Sequence, residues 1–255
     1  MIEVFNINQS YNRNNIKNTL TDINLQIPEN SVTALVGANG AGKSTLLGVV
    51  ANIIPSMSGI VMLNKKDVRK IKTNEVAKQI AFLKQNQHIN IRITVNDLTE
   101  FGRFPHCKGR LKEHDKIKVN QALEYMNMLD LRHRYLDELS GGQRQRAFIA
   151  MILAQDTKYI FLDEPLNNLY IKYSVDMMKI IRKLVAELNK TIVVVLHDIN
   201  FAAAYADYII AMKDGHIVHE GGTEKIITKE ILNTIFDYDF NIIKHKEKNV
   251  CLYFE

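Results

Sequence analysis

The chain has 255 residues, 46% of them hydrophobic and 24% charged, and a net charge of +5. This is an ordinary globular composition, long enough for one large α/β domain or a core carrying a smaller insert, with no need of disulfide or metal staples. The basic excess suits nucleotides, nucleic acid or an anionic membrane surface without choosing among them, and the scattered Lys and Arg form no run resembling a nucleic-acid-binding arm. Cys107 and Cys251 stand at no metal-ligand spacing and point to a reduced, cytosolic protein. No segment reaches the apolar length that a bilayer span needs, so a membrane role would run through a partner.

The N-terminal residues Met1-Ile2-Glu3-Val4-Phe5 alternate like a strand and lack the charged and apolar halves of a secretion signal. The first ~30 residues and Ile60-Val61-Met62-Leu63, with a turn at Ser58-Gly59, predict antiparallel strands at one side of the core. Five β-branched runs predict buried strands: 32–36, 80–83, 159–162, 192–196 and 208–212. Continuous apolar runs without alternation suggest cover on both faces, hence a parallel α/β sheet. Between about Asn86 and Asp156 the texture changes. Apolar residues recur at helical spacing over 115–131 (Ile117, Val119, Ala122, Leu123, Met126, Leu129) and over 143–153, with no strand-like run between. A helical insert is expected there. The tail predicts a helix over 229–236 and a last strand over 249–254.

Gly37-Ala38-Asn39-Gly40-Ala41-Gly42-Lys43-Ser44-Thr45 follows one predicted strand and opens a predicted helix, the context required of a phosphate-binding loop. Its glycines let backbone N–H groups turn toward phosphate oxygens, and the helix start adds partial positive charge. Lys43 would reach the β- and γ-phosphates, and the Ser44 hydroxyl would ligate Mg²⁺. The strand 159–162 ends in Asp163-Glu164. Adjacent side chains on a strand point to opposite faces, so the two acids divide their work. Asp163 suits the Mg²⁺ shell through water, and Glu164 suits an attacking water, as general base or orienter.

Leu139-Ser140-Gly141-Gly142-Gln143 places a hydroxyl and two glycines at a second helix start, a second anion site. One γ-phosphate cannot serve two distant sites in one subunit. A head-to-tail dimer resolves this, with the loop of one chain facing the Ser140 helix start of the other across ATP.

With this motif the chain resembles the ABC transporter ATPase family, whose signature is Leu-Ser-Gly-Gly-Gln; the resemblance covers essentially the whole chain. It implies a P-loop NTPase core of ABC type over 1–85 and 157–222, with a parallel sheet and an N-terminal antiparallel β subdomain. A helical subdomain over about 86–156 and a short tail over 223–255 complete it. It also implies that Tyr11 stacks on adenine, that Gln85 is a Mg²⁺ ligand sensing a permease, and that His197 is the switch histidine at the γ-phosphate. Arg146 and Asp198 take mainly structural roles. The implied activity is ATP hydrolysis, with ATP and Mg²⁺ bound, by a peripheral subunit on the cytoplasmic face of a membrane permease.

Phe101-Gly102-Arg103-Phe104-Pro105-His106 is similar to a stretch common in ATPases of ferric-siderophore, haem and cobalamin importers. Ile89-Asn90-Ile91-Arg92 and Asp163-Glu164-Pro165-Leu166-Asn167-Asn168-Leu169 are similar to the subgroup serving catecholate siderophores such as petrobactin or anguibactin. Iron–siderophore import, fed by a siderophore-binding protein outside the membrane, is the expected function; haem, cobalamin or metal import is the alternative. The first stretch is either a plain turn in the helical insert or, with the Gln85 loop, a groove receiving the permease through its aromatic and apolar residues, as Phe104 near the charged Arg103 suggests. One position departs from the family: Tyr170 stands where an Asp closes the loop after Glu164. It is either tolerated with altered coupling of the two sites, or it impairs closure and makes a weak or regulatory ATPase; hydrolysis is expected because Lys43, Glu164, Gln85 and His197 are all present. Non-transport ABC ATPases of translation or DNA repair carry tandem cassettes or a long coiled-coil insert. This chain has one cassette and no room for the insert between Lys43 and Ser140, so no nucleic-acid partner is expected.

Overall fold

The computed structural model describes residues 1–11, 19–85 and 91–254. Chain order begins with β1 (Ile2–Gln9), β2 (Leu20–Ile27), β3 (Val32–Val36), α1 (Lys43–Val50), β4 (Ser58–Leu63), β5 (Lys66–Asp67), α2 (Thr73–Ala77) and β6 (Ile80–Leu83). Then come α3 (Val95–Phe101), α4 (Phe104–Cys107), α5 (Glu113–Tyr125), α6 (Gly141–Ala154), β7 (Tyr159–Leu162), α7 (Ile171–Leu188) and β8 (Thr191–Val195). The chain closes with α8 (Ile199–Tyr205), β9 (Tyr208–Lys213), β10 (His216–Gly222), α9 (Thr223–Ile226), α10 (Lys229–Phe236), β11 (Asn241–His245) and β12 (Lys248–Leu252).

The five apolar runs lie side by side in one sheet of order β10-β9-β3-β8-β7-β6. All its pairings are parallel except β9 with β10, which form a hairpin. Every residue of β3, β7 and β8 is buried, as strands covered on both faces must be. An antiparallel sheet of order β2-β1-β4-β5 covers one side, and its inward residues Ile2, Val4, Ile7, Leu25 and Val61 join α1 in a second core cluster. Glu29 ties the two sheets together. Its carboxylate meets Lys158 at 2.8 Å, the Met1 amino group and the Tyr159 hydroxyl, and these hold its pKa down at about 2.

Three expectations need correction. Ser58 and Gly59 belong to β4, not to a turn. Gly59 has φ +85° at a register shift against β1, where a Cβ would meet the Asn6 carbonyl oxygen at 2.4 Å, so the glycine marks a bulge. The helix expected over 115–131 ends at Tyr125, because Asn127 turns left-handed at φ +52° and a separate 3₁₀ turn follows over Leu129–Leu131. The tail holds two strands, since β11 pairs antiparallel with β12.

Between 91 and 156 the described residues form helices and 3₁₀ turns, with one isolated bridge from Thr94 to Tyr135. Gly102 lets the end of α3 approach α6: a Cβ there would meet the Met151 carbonyl oxygen at 2.0 Å. Arg103 lies inside this insert. It is buried, ion-paired to Asp115 at 3.0 Å, and donates from Nη1 to the Ala154 carbonyl at 2.8 Å. It fastens three helices, and leaves Phe101 and Phe104 exposed on the outside. No helix among the described residues is long and apolar enough to cross a membrane.

Candidate active site

β3 ends at Val36, and the chain then wraps into α1 through residues 37–42. Gly37, at φ +141°, passes so close to β9 that a Cβ would overlap the Met212 carbonyl oxygen at 2.1 Å. Gly42 is left-handed at φ +99° and serves as the N-cap of α1. Between them, Ala38, Asn39 and Gly40 are exposed while Ala41 is buried, its carbonyl accepting from Gly215 N–H at 3.2 Å. Lys43 is buried, and its ammonium donates to the carbonyls of Gly37 at 2.8 Å and Ala38 at 2.9 Å, so it lies along the loop. Burial lowers its pKa, against the raising influence of Glu164 and Asp163. Thr45 points back toward the start of the chain, its hydroxyl 3.1 Å from the Tyr11 hydroxyl. Tyr11 is otherwise exposed and stands beside the loop.

β7 delivers the two acids to the same edge. Ser44 Oγ donates to Asp163 Oδ1 at 2.8 Å. Burial pushes the Asp163 carboxyl above its ordinary value, although the Ser44 hydroxyl and Lys43 pull the other way. Glu164 takes a left-handed backbone at φ +52°, rare for a side chain of its size, and strain of that kind concentrates at functional sites. The turn sends its carboxylate elsewhere. Oε1 lies 2.7 Å from His197 Nε2, and Oε2 accepts from Gln85 Nε2 at 2.5 Å. Asn167 Nδ2 reaches the same oxygen at 3.4 Å. Thus Gln85, at the end of β6, and His197, at the end of β8, meet on Glu164, and Gln85 bonds Glu164 where the sequence resemblance implied a metal ligand.

Ser140, Gly141, Gly142 and Gln143 form a separate helix start. Ser140 Oγ accepts from Gln143 N–H at 3.3 Å, while Gln143 Oε1 accepts from Ser140 N–H at 3.0 Å, a reciprocal cap. Ser140 and Gly141 are exposed, and Gly142 is buried, where a Cβ would meet the Tyr173 ring at 3.0 Å. Tyr170, 82% exposed, caps α7 with its backbone alone. Asp198 accepts from Asn200 N–H at 2.8 Å and starts α8, a structural duty. Asn167 carried no role in the sequence reading, although it lies in the quoted Leu166-Asn167-Asn168-Leu169. Of the petrobactin-like string, Ile89 and Asn90 lie outside the described residues.

The family model described as ABC transporter matches residues 20–167. The chain is 48% identical to the petrobactin import ATP-binding protein YclP of Bacillus subtilis (strain 168), over 100% of both chains. Among solved structures it is similar to a metal-chelate type ABC transporter in an inward-facing conformation, with TM-score 0.84, 28% identity, and 99% and 97% of the two chains covered. It is also similar to the ATP-binding cassette MJ0796, solved as a dimer in a post-hydrolysis state with ADP and Pi, with TM-score 0.77, 28% identity, and 88% and 99% covered.

Proposed function

This chain belongs to the ABC transporter family, and from that premise we propose that it is the ATP-hydrolysing subunit of an importer for iron–siderophore complexes. The observation that carries the chemistry is Glu164, held between His197 and Gln85 one residue after the Asp163 that bonds Ser44. The loop 37–45 receives the phosphates of ATP, with the Lys43 ammonium leaving the Gly37 and Ala38 carbonyls for the β- and γ-phosphates, and Tyr11 stacks on adenine. Glu164 orients and deprotonates the attacking water, while His197 and Lys43 meet charge spreading over the transferring phosphoryl group.

Mg²⁺ fits the site by its donor chemistry. Ser44 and Asp163 bring two oxygens together, and among the described residues no group of three or more His, Cys, Asp or Glu could hold a metal alone. So sparse a set suits a cation that keeps waters and borrows phosphate oxygens. When bound, Mg²⁺ supplies charge neutralisation at the phosphates; Ser44 and Asp163 hold it, with Gln85 adjoining.

The exposed Ser140 helix start, Gly141 and Gly142 with Gln143 behind them, binds the γ-phosphate of a second copy, so the working unit is a homodimer. Residues 1–85 and 157–222 form the core, about 86–156 the helical subdomain and 223–255 the tail. The helical part receives a transmembrane permease on the cytoplasmic face, and a siderophore-binding protein feeds that permease from outside; no nucleic acid takes part. The named cargo of the relative supports a catecholate siderophore. The test is hydrolysis and uptake: the purified chain should hydrolyse ATP, Lys43→Ala should abolish this, and the permease should alter the rate. Absence of turnover with and without the permease would leave only a regulatory ATP-binding role. Unchanged ferric-catecholate uptake in cells lacking the chain would refute the cargo.

A further inference from the structure

The tail has no part in the chemistry above, yet it is joined to it. His197 and Asp198 lead directly into α8, whose second residue is Asn200. The Asn200 side chain behaves as a strand partner for β12. Its Oδ1 accepts from Cys251 N–H at 2.8 Å, and its Nδ2 donates to the Cys251 carbonyl at 3.1 Å. Both backbone groups of one tail residue are thus satisfied by one side chain three positions after His197, and Cys251 beneath is fully buried.

The tail is itself anchored. Lys213, at the end of β9, donates to the Thr234 carbonyl at 2.9 Å and pairs with Asp237 at 2.6 Å. Asn233 Oδ1 accepts from Phe240 N–H at 2.8 Å, and the Phe240 ring packs against Phe236 and Tyr253 at centroid distances of 5.6 Å. An open cavity of about 390 Å³ separates these rings from His197, with Asp198, Ile199 and Tyr238 completing its wall. His197 therefore faces Glu164 on one side and the tail aromatics across this space on the other.

We propose that Asn200 is a positioning residue: by clamping the Cys251 backbone it fixes the start of α8 to the C-terminal hairpin, and so holds His197 in register for the γ-phosphate. Asp198 caps the helix start and Leu196 is buried on one side of the His197 loop, while Asn200 ties its other side to the tail; a histidine misplaced by an ångström loses its phosphate contact. The hairpin is then a brace for the nucleotide site. This inference rests on the assignment of His197 made above.

The test separates ATP from ADP, because only ATP carries the γ-phosphate. Equilibrium affinities are measured in the full chain carrying Glu164→Gln, which keeps ATP intact. Asn200→Ala should weaken ATP about 5- to 10-fold, the scale of one net hydrogen bond, and leave ADP within about twofold. Asn200→Asp, which keeps the acceptor for Cys251 N–H but sets an oxygen against its carbonyl, should show the same selective loss if the alanine variant folds poorly. Added to His197→Ala, Asn200→Ala should cost nothing further, since it acts through that ring. Unchanged ATP affinity, equal losses of ATP and ADP, or a loss that adds to that of His197→Ala would each overturn the brace. If His197→Ala leaves the ratio of ATP to ADP affinity unaltered, the role of His197 falls, and the brace with it.

Discussion

Tyr170 concentrates what one residue can change. It begins α7 without a side-chain cap, and its ring is almost wholly in solvent next to an exposed Ile171. An Asp there would accept from the first-turn N–H groups and complement the helix dipole, an advantage of about 0.5–2 kcal/mol. Tyr170→Asp should therefore raise the unfolding midpoint and, if the proposed dimer places this loop between its two sites, also raise ATP turnover. Equal turnover in both proteins would show that the tyrosine is neutral for chemistry. At this scale residue type and the predicted strand-to-helix context marked Lys43, Ser44, Asp163 and Glu164, of which the structure brings Ser44 and Asp163 into a hydrogen bond. The sequence did not expose the bonds from Gln85 and His197 to Glu164. Those partners are 79 and 33 positions away, and they were recognisable only through the family resemblance. Asn200 carried no signal at all, since its partner is backbone 51 residues on.

Elements were readable where one pattern dominated. β3, β6, β7 and β9 follow continuous apolar runs, and α10 follows its capping Thr228 and apolar spacing. β11 escaped because most of its residues are exposed, so its pattern resembles a loop. The Ser58-Gly59 bulge was mistaken for a turn because glycine marks both. Arg103 shows a deeper limit: nothing in its sequence neighbourhood marks the buried partner 12 residues away. The pair is well desolvated, with side chains 3% and 7% exposed. Removing one member strands the other, so Arg103→Ala should lower stability by about 3–5 kcal/mol in denaturant unfolding and loosen α3 and α5 from α6. A loss below about 1 kcal/mol would place Arg103 among ordinary surface charges.

For the whole molecule, the sheet brings the residues of the proposed nucleotide site to four strand ends. The loop after β3, Gln85 after β6, the acids after β7 and His197 after β8 lie at the same carboxyl edge, where parallel α/β sheets place their ligands. The Ser140 helix start stands apart with its own cap, and in the proposed dimer a second chain joins it to a nucleotide. The most direct measurement of that claim is the mass in solution of Glu164→Gln with ATP and Mg²⁺, by light scattering. The variant should bind ATP, hydrolyse it far below the native rate and run as a dimer, and a further Ser140→Arg should return it to a monomer. A Glu164→Gln protein that stays monomeric with ATP bound, or that turns ATP over at the native rate, would contradict the account.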